Sequence, residues 1–172
     1  MKKILILVND VTTIMQFRTE LIKALVTAGN EVLVSVPKSE RNNEIEELGA
    51  KVIETNASRH GKNPLEDFFL YLNYRKLLKE HKPDFVFTYT VKPNAYGGLA
   101  CGQLKVPYAA NVTGLGVIED EGILQKLMLT LYKVGCRKAK CVFFQNKSDR
   151  QFFVDHKIQS KKEGLLPGSG VN

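Results

Sequence analysis

Four short strings hold the side chains of this chain that can do chemistry. Asn9-Asp10 sets an amide beside a carboxylate, and both groups pair well with ligand hydroxyls. The same residue types also satisfy turn backbone and cap helices, so both roles stay open. Phe17-Arg18 places a ring expected in the core next to a cation that either aims at an anion or rests in solvent. Thr90-Val91-Lys92-Pro93-Asn94 puts a lysine just ahead of a helix start, and Lys92 with open N–H groups at Asn94 to Gly98 suits an anion. Gly97, Gly98, Ala100 and Gly102 make that helix thin, which serves a ligand or tight packing equally. Thr113-Gly114-Leu115-Gly116 spaces two glycines for a tight turn. The Glu119-Asp120-Glu121 triplet beyond it offers paired carboxylates for acid–base work, or simply acids at a helix N-terminus.

The missing patterns narrow the chemistry. No G-x-G-x-x-G follows the first apolar run, so NAD or FAD binding there is not expected, and no GxxxxGK[ST] phosphate loop occurs. His60, His81 and His156 are scattered, and no CxxC or HExxH exists, so no metal centre is expected. No Ser-His-Asp set can be assembled, and no catalytic base is named. Three cysteines fit a reducing, cytoplasmic setting, with Cys136 and Cys141 expected as buried bystanders.

These strings need elements to position them. Lys3 to Val8 reads as a strand buried on both faces. Phe17, Leu21, Ala24, Leu25 and Ala28 recur at helical spacing until Gly29-Asn30 stops them. Further strands are expected at 32–36, 51–54, 84–89, 107–111, 141–145 and 164–167. Helices are expected at 44–48, 65–81, 94–104, 121–138 and 147–156, with Asn63 capping the second and Ser148 or Asn146 the last. Strand and helix alternating through short connections predict an α/β, Rossmann-like, three-layer fold with a mostly parallel sheet of six to seven strands. Ligands of such sheets sit beyond the carboxyl ends of the strands, where all four strings fall.

The chain has 172 residues, 44% of them hydrophobic and 25% charged, which fits one globular domain. No apolar run approaches the length of a membrane span. The net charge of +7 is concentrated. Residues 131–162 hold nine bases (Lys133, Arg137, Lys138, Lys140, Lys147, Arg150, Lys157, Lys161, Lys162) and two acids (Asp149, Asp155), leaving the remainder neutral. A helix with apolar residues on more than one stripe, running into Lys133, Arg137, Lys138 and Lys140, suits an anionic membrane surface. Burial of that helix between sheet and neighbours, with a merely solvated basic surface, remains the other reading. The basic segment lacks aromatic interleaving and any RNA-binding signature, so no nucleic acid is expected as partner.

In this order, Asn9-Asp10, Phe17-Arg18-x-x-Leu21, Gly29-Asn30-Glu31-Val32, Thr90-Val91-Lys92-Pro93-Asn94, Ala110-Asn111-Val112-Thr113-Gly114-Leu115-Gly116 and Leu166-Pro167-Gly168-Ser169-Gly170-Val171-Asn172 resemble one family over the whole chain. It is the N-terminal domain of family 4 glycosyltransferases, in the branch that builds capsular polysaccharide and lipopolysaccharide O-antigen. The resemblance implies a GT-B fold of two Rossmann-like domains facing a cleft. Residues 1–166 would be the acceptor-side domain, and 167–172 the start of a linker to a C-terminal donor-binding domain. It further implies retaining transfer from a nucleotide-sugar to a lipid-pyrophosphate-linked sugar at the inner face of the plasma membrane, with no metal or cofactor and no activity from this domain alone. Asn9, Asp10, Arg18, Lys92, Asn94, Thr113, Gly114 and Gly116 carry over as ligand-facing. A single-domain subunit of a split transferase, and a non-enzymatic nucleotide- or nucleic-acid-binding module, are the alternatives.

Overall fold

The computed structural model describes residues 1–55, 64–115, 122–158 and 160–166. Its centre is the apolar run near the N-terminus, β1 (Lys3–Leu7), whose last four residues are buried. Alternate side chains point to opposite faces of a strand, so Leu5 and Leu7 enter one core while Ile6 and the following Val8 enter another. β1 pairs in parallel with β2 (Glu31–Val36), from Lys3↔Glu31 to Leu7↔Ser35. Its other edge pairs with β4 (Phe85–Tyr89), from Ile4↔Phe85 to Leu7↔Thr88. With β3 (Lys51–Glu54), β5 (Tyr108–Val112), β6 (Cys141–Phe144) and β7 (Glu163–Leu165), the sheet is seven-stranded, all parallel, in the order β3-β2-β1-β4-β5-β6-β7. The chain reverses its direction of travel across the sheet between β1 and β4, the switch point at which sheets of this kind form a crevice outside the carboxyl ends of the strands.

α1 (Val11–Phe17), α2 (Thr19–Thr27) and α3 (Asn42–Glu47) cover one face. Asp10 starts α1 by accepting the Thr12 N–H at 3.0 Å. The single helix expected through Phe17 is broken at Arg18, whose backbone (φ −132°, ψ 4°) is not helical. Gly29 ends α2 at φ +76°, a conformation that favours glycine.

α4 (Pro64–His81), α5 (Gly98–Leu104), α6 (Ile123–Cys136) and α7 (Lys147–Asp155) cover the other face. Leu70, Tyr74, Leu77 and Leu78 of α4 are its inward stripe, and Phe153 of α7 packs edge-on against Phe144 and Tyr132 at 4.9 and 5.3 Å between ring centroids. Asn146 caps α7 by accepting the Asp149 N–H at 2.7 Å, which settles the choice between Ser148 and Asn146. A single π-turn (Pro93–Gly97) precedes α5. α6 crosses this segment at backbone distance: a Cβ on Gly135 would lie 2.2 Å from the Asn94 oxygen, and one on Gly98 would lie 2.2 Å from the Gly135 oxygen. Asn63, expected to cap α4, and the Glu119-Asp120-Glu121 triplet lie outside the described residues.

Candidate functional site at the sheet crevice

The loops after β1 and β4 meet where the crevice opens. Asn9, buried at 7% exposure, accepts a hydrogen bond on Oδ1 from the Thr90 hydroxyl at 2.8 Å. Its amide NH2 makes no hydrogen bond among the described residues. Thr90 has φ +67°, the left-handed region, which is a genuine outlier for a β-branched residue. Such strain costs on the order of 1–3 kcal/mol and gathers at functional sites. Here it turns the hydroxyl across the crevice.

Arg18 stands over the same opening. Of the two positions left open for it, solvent is ruled out: the cation is buried at 8% exposure, while Phe17, expected in the core, is only half-buried. The helix break explains this, because leaving the helical path at Arg18 turns its side chain inward. The guanidinium lies 4.7 Å from the centroid of the Tyr89 ring, a cation–π distance. Its Nη1 donates to the Phe17 carbonyl at 2.8 Å, and its Nε has no partner among the described residues. No carboxylate pairs with it among the described residues. Burial pushes the Tyr89 phenol up to about 12, with the Arg18 charge and hydrogen bond pulling the other way. A desolvated cation with N–H capacity to spare and no counter-charge among the described residues has the chemistry to take an anion, and its fork fits phosphate or carboxylate.

Other expected site residues stand elsewhere. Lys92 does not face the crevice alone: its Nζ is 2.8 Å from Asp67 Oδ1, and the Tyr96 hydroxyl donates to Asp67 Oδ2 at 2.9 Å. Burial, then the hydrogen bond to Asp67 and its charge, pushes the Tyr96 phenol far up. This cluster ties the first turns of α4 to the loop after β4. Asn94 is fully buried. Its Oδ1 accepts from Thr88 at 2.6 Å, and its Nδ2 donates to the Asn111 carbonyl at 2.9 Å. Asn111 in turn donates to the Thr88 carbonyl at 3.2 Å. Asn94 therefore locks β4, β5 and the π-turn together, with both ends of its amide engaged. The open N–H groups expected there are also taken in part, since the helix starts early enough for the Asn94 N–H to reach the Thr90 carbonyl at 3.0 Å. Asp10 borders the crevice as a helix cap. Thr113 is half-buried, and Gly114 is exposed at φ +123°, its glycine required by that angle and not by space. Gly116 lies outside the described residues.

Lys133, Arg137, Lys138 and Lys140 are all exposed. They sit in the last turns of α6 and in the short connection from it into β6. Lys133, Arg137 and Lys138 rim a cleft of about 380 Å³ between α5 and α6, floored by Gly98, Leu99 and Val134. Lys138 Nζ donates to the Gly102 carbonyl at 3.2 Å. Cys101 and Cys136 are buried and Cys141 is half-buried; burial pushes the Cys101 and Cys136 thiols up to about 12, which leaves them inert. Among the described residues no His, Cys, Asp and Glu cluster could hold a metal ion, and no helix is long and apolar enough to cross a membrane. Sequence reasoning did not single out Thr90, Tyr89 or Asp67. Thr90 lay inside a quoted string, but Asp67 comes from a different helix and has no local signal.

Fold and crevice together define a Rossmann-like α/β domain that replaces the usual glycine-rich turn with a polar, cationic opening. The chain belongs to the glycosyl transferase 4-like family, whose profile matches residues 3–146. It is 35% identical to the N,N'-diacetylbacillosaminyl-diphospho-undecaprenol alpha-1,3-N-acetylgalactosaminyltransferase of Campylobacter jejuni, over 93% of this chain and 44% of that protein. The chain thus spans less than half the length of that curated relative. A Staphylococcus aureus MnaA–UDP structure superposes with a TM-score of 0.72 at 17% identity, covering 98% of this chain and 44% of that one. A glycosyltransferase from Rickettsia africae does so with a TM-score of 0.69 at 20% identity, covering 96% and 42%. These two likenesses support the fold.

Proposed function

We propose that this chain is the acceptor-side domain of a retaining glycosyltransferase that moves a sugar from a nucleotide-sugar to a glycan carried on a lipid diphosphate, in bacterial surface polysaccharide synthesis. The observation that carries this reading is Arg18, a buried cation without a carboxylate, over the sheet crevice. In this reading its guanidinium takes the acceptor diphosphate, while Asn9 and Thr90, linked across the crevice, hold sugar hydroxyls. The nucleotide-sugar is a co-substrate held mainly by a second, C-terminal domain reached through residues 167–172. Support comes from the relative, whose own name specifies a diphospho-undecaprenol-linked sugar. The protein would work peripherally on the inner face of the plasma membrane, with Lys133, Arg137, Lys138 and Lys140 meeting anionic lipid.

The test uses the intact two-domain protein and two acceptors, one glycan on a lipid diphosphate and the same glycan on an uncharged aglycone. Arg18→Met should raise KM for the diphosphate acceptor by about 10–100-fold, the worth of a charged hydrogen-bond pair, and leave the uncharged acceptor unchanged. Equal losses on both acceptors, or an intact protein that transfers nothing to any such acceptor, would sink the reading.

A further inference from the structure

α4 carries two apolar stripes. The inward one is in the core; the other is Leu65, Phe68, Phe69 and Leu72, at i, i+3, i+4 and i+7 on a single face. Their exposures are 67%, 55%, 61% and 39%. Phe68 sits 6.3 Å, centroid to centroid, from both Phe69 and Tyr71, so the stripe is a surface aromatic cluster. The Tyr71 hydroxyl is held by Gln103 of α5 and Arg75 of α4. Folding does not require this stripe, since Leu70, Tyr74, Leu77 and Leu78 already anchor the helix. A contiguous apolar patch on a protein surface marks a contact with something else.

The surroundings say what. Lys76 and Lys79 continue the same stripe in the last turns of α4, both exposed. Across the same helical layer α6 exposes Leu127 and Val134 beside Lys126 and Lys133. Acids are few here: Glu66 and Glu80 flank the stripe, and Asp67 is engaged with Lys92 and Tyr96. Aromatic and aliphatic side chains over two turns, continued by lysines, match a helix lying in the interface of an anionic bilayer. The Asp67–Lys92 pair fixes this end of α4 to the loop after β4, so the stripe lies at the crevice end of the molecule, while Lys133, Arg137 and Lys138 line a cleft with Gly98 and Gly102 in the same helical layer.

We propose that the first two turns of α4 insert Leu65, Phe68, Phe69 and Leu72 into an anionic lipid bilayer, placing the sheet crevice at the membrane surface. This rests on the lipid-linked acceptor proposed above and adds the element that enters the lipid.

The chain contains no tryptophan, so Phe68→Trp makes a single insertion probe. Vesicles of equimolar phosphatidylglycerol and phosphatidylcholine should shift the indole emission of this variant to the blue and expose it to quenching by brominated lipid. Phe68→Ser/Phe69→Ser, checked for folding by circular dichroism, should lower partitioning at least about tenfold, the worth of removing apolar area of this size. Lys133→Gln/Arg137→Gln/Lys138→Gln, added to the Phe68→Trp probe, should weaken retention in a salt-dependent way and leave the indole blue shift of the bound fraction intact. Unchanged emission on vesicles that retain the protein would overturn insertion while leaving the basic-face reading standing. Serine variants that partition like the parent, or a blue shift that grows with protein concentration without lipid, would overturn it as well; the latter would assign the stripe to a second copy.

Discussion

On the α1–α3 side of the sheet, Val11, Ile14, Ile22 and Ile45 close over Ile6, Val8, Val32, Val34 and Val36, and the helices present Glu20, Lys23, Glu46 and Glu47 to water. On the α4–α7 side, Leu70, Tyr74, Tyr132 and Phe153 close over Leu5, Leu7, Val86 and Phe144 just as fully. There, however, the outward side chains include Leu65, Phe68, Phe69, Leu72, Leu127, Val134 and Val154, whereas α1–α3 expose no large apolar side chain. Both interiors are complete, so the difference outside is not a by-product of folding. In the membrane reading proposed above, it reflects two environments, water for one face and lipid for the other.

The largest expected effect tests how each helical layer is joined. Gly135→Val would drive its Cβ into the Asn94 backbone at 2.2 Å. Backbone cannot swing aside, so a loss above about 3 kcal/mol is expected, a drop of roughly 6–12 °C in a thermal melt. On the opposite face a Cβ at Gly49 meets only the Val26 side chain, at 2.9 Å, and the φ of +88° sets the strain. Gly49→Ala should cost about 1–2 kcal/mol. Equal costs would break the contrast.

Alkaline pH should separate the faces next. Burial raises the Cys101 and Cys136 thiols from 9.0 to about 12, and it raises Tyr74, Tyr108 and Tyr132 as well. All five lie in the α4–α7 core; on the other side only Tyr89 is comparably raised among the described residues, from 10.0 to about 12. The unfolded chain releases these protons first while the folded chain keeps them. Stability is therefore full below pH 9.0 and falls as pH rises toward 12, by about 1.4 kcal/mol per pH unit for each titrating group. Hydrogen exchange at pH 10 should lose protection in α5 and α6 before α1 and α2, and Cys101→Ala/Cys136→Ala should flatten the early decline. Loss starting in α1 and α2 would reverse the assignment.

The smallest pair has opposite signs within one core. Tyr108 donates to the Gly135 carbonyl at 2.7 Å, so Tyr108→Phe leaves a buried oxygen unpaired and should cost about 1–2 kcal/mol. The Tyr74 hydroxyl is buried without a partner among the described residues, so Tyr74→Phe should gain up to about 1 kcal/mol. Denaturant midpoints measured side by side would settle both.

The order of strands and helices was legible because strands such as β2 are short apolar runs closed by a turn residue, here Pro37, and helices are stopped by glycines such as Gly29 and Gly49. The crevice was legible only in part. Asn9 and Arg18 were placed in it by position along the first strand and helix, but the burial of Arg18 in place of Phe17 depends on a helix break that no Gly or Pro announces. Asn94 looked like a helix-start residue because the earlier start at the Thr90 carbonyl shows no signature in residue type. Asp67 could not be linked to Lys92 along the chain, because α4 and the loop after β4 meet only in the folded sheet. The exposed stripe of α4 was hidden for a different reason: apolar residues on both sides of a helix cancel the periodicity that would reveal either.

The place of β1 in the sheet also has a consequence for synthesis. β1 leaves the ribosome first, yet one of its two neighbours, β4, follows 81 residues later, at the pairing Ile4↔Phe85. At ordinary elongation rates of about 5–20 residues per second that is a wait of roughly 4–16 s. During it this apolar strand can be covered on one edge only, by β2. The nascent chain therefore spends seconds with an open hydrophobic edge, and chaperone capture in that interval, more than the stability of the finished fold, should govern how much protein a cell recovers.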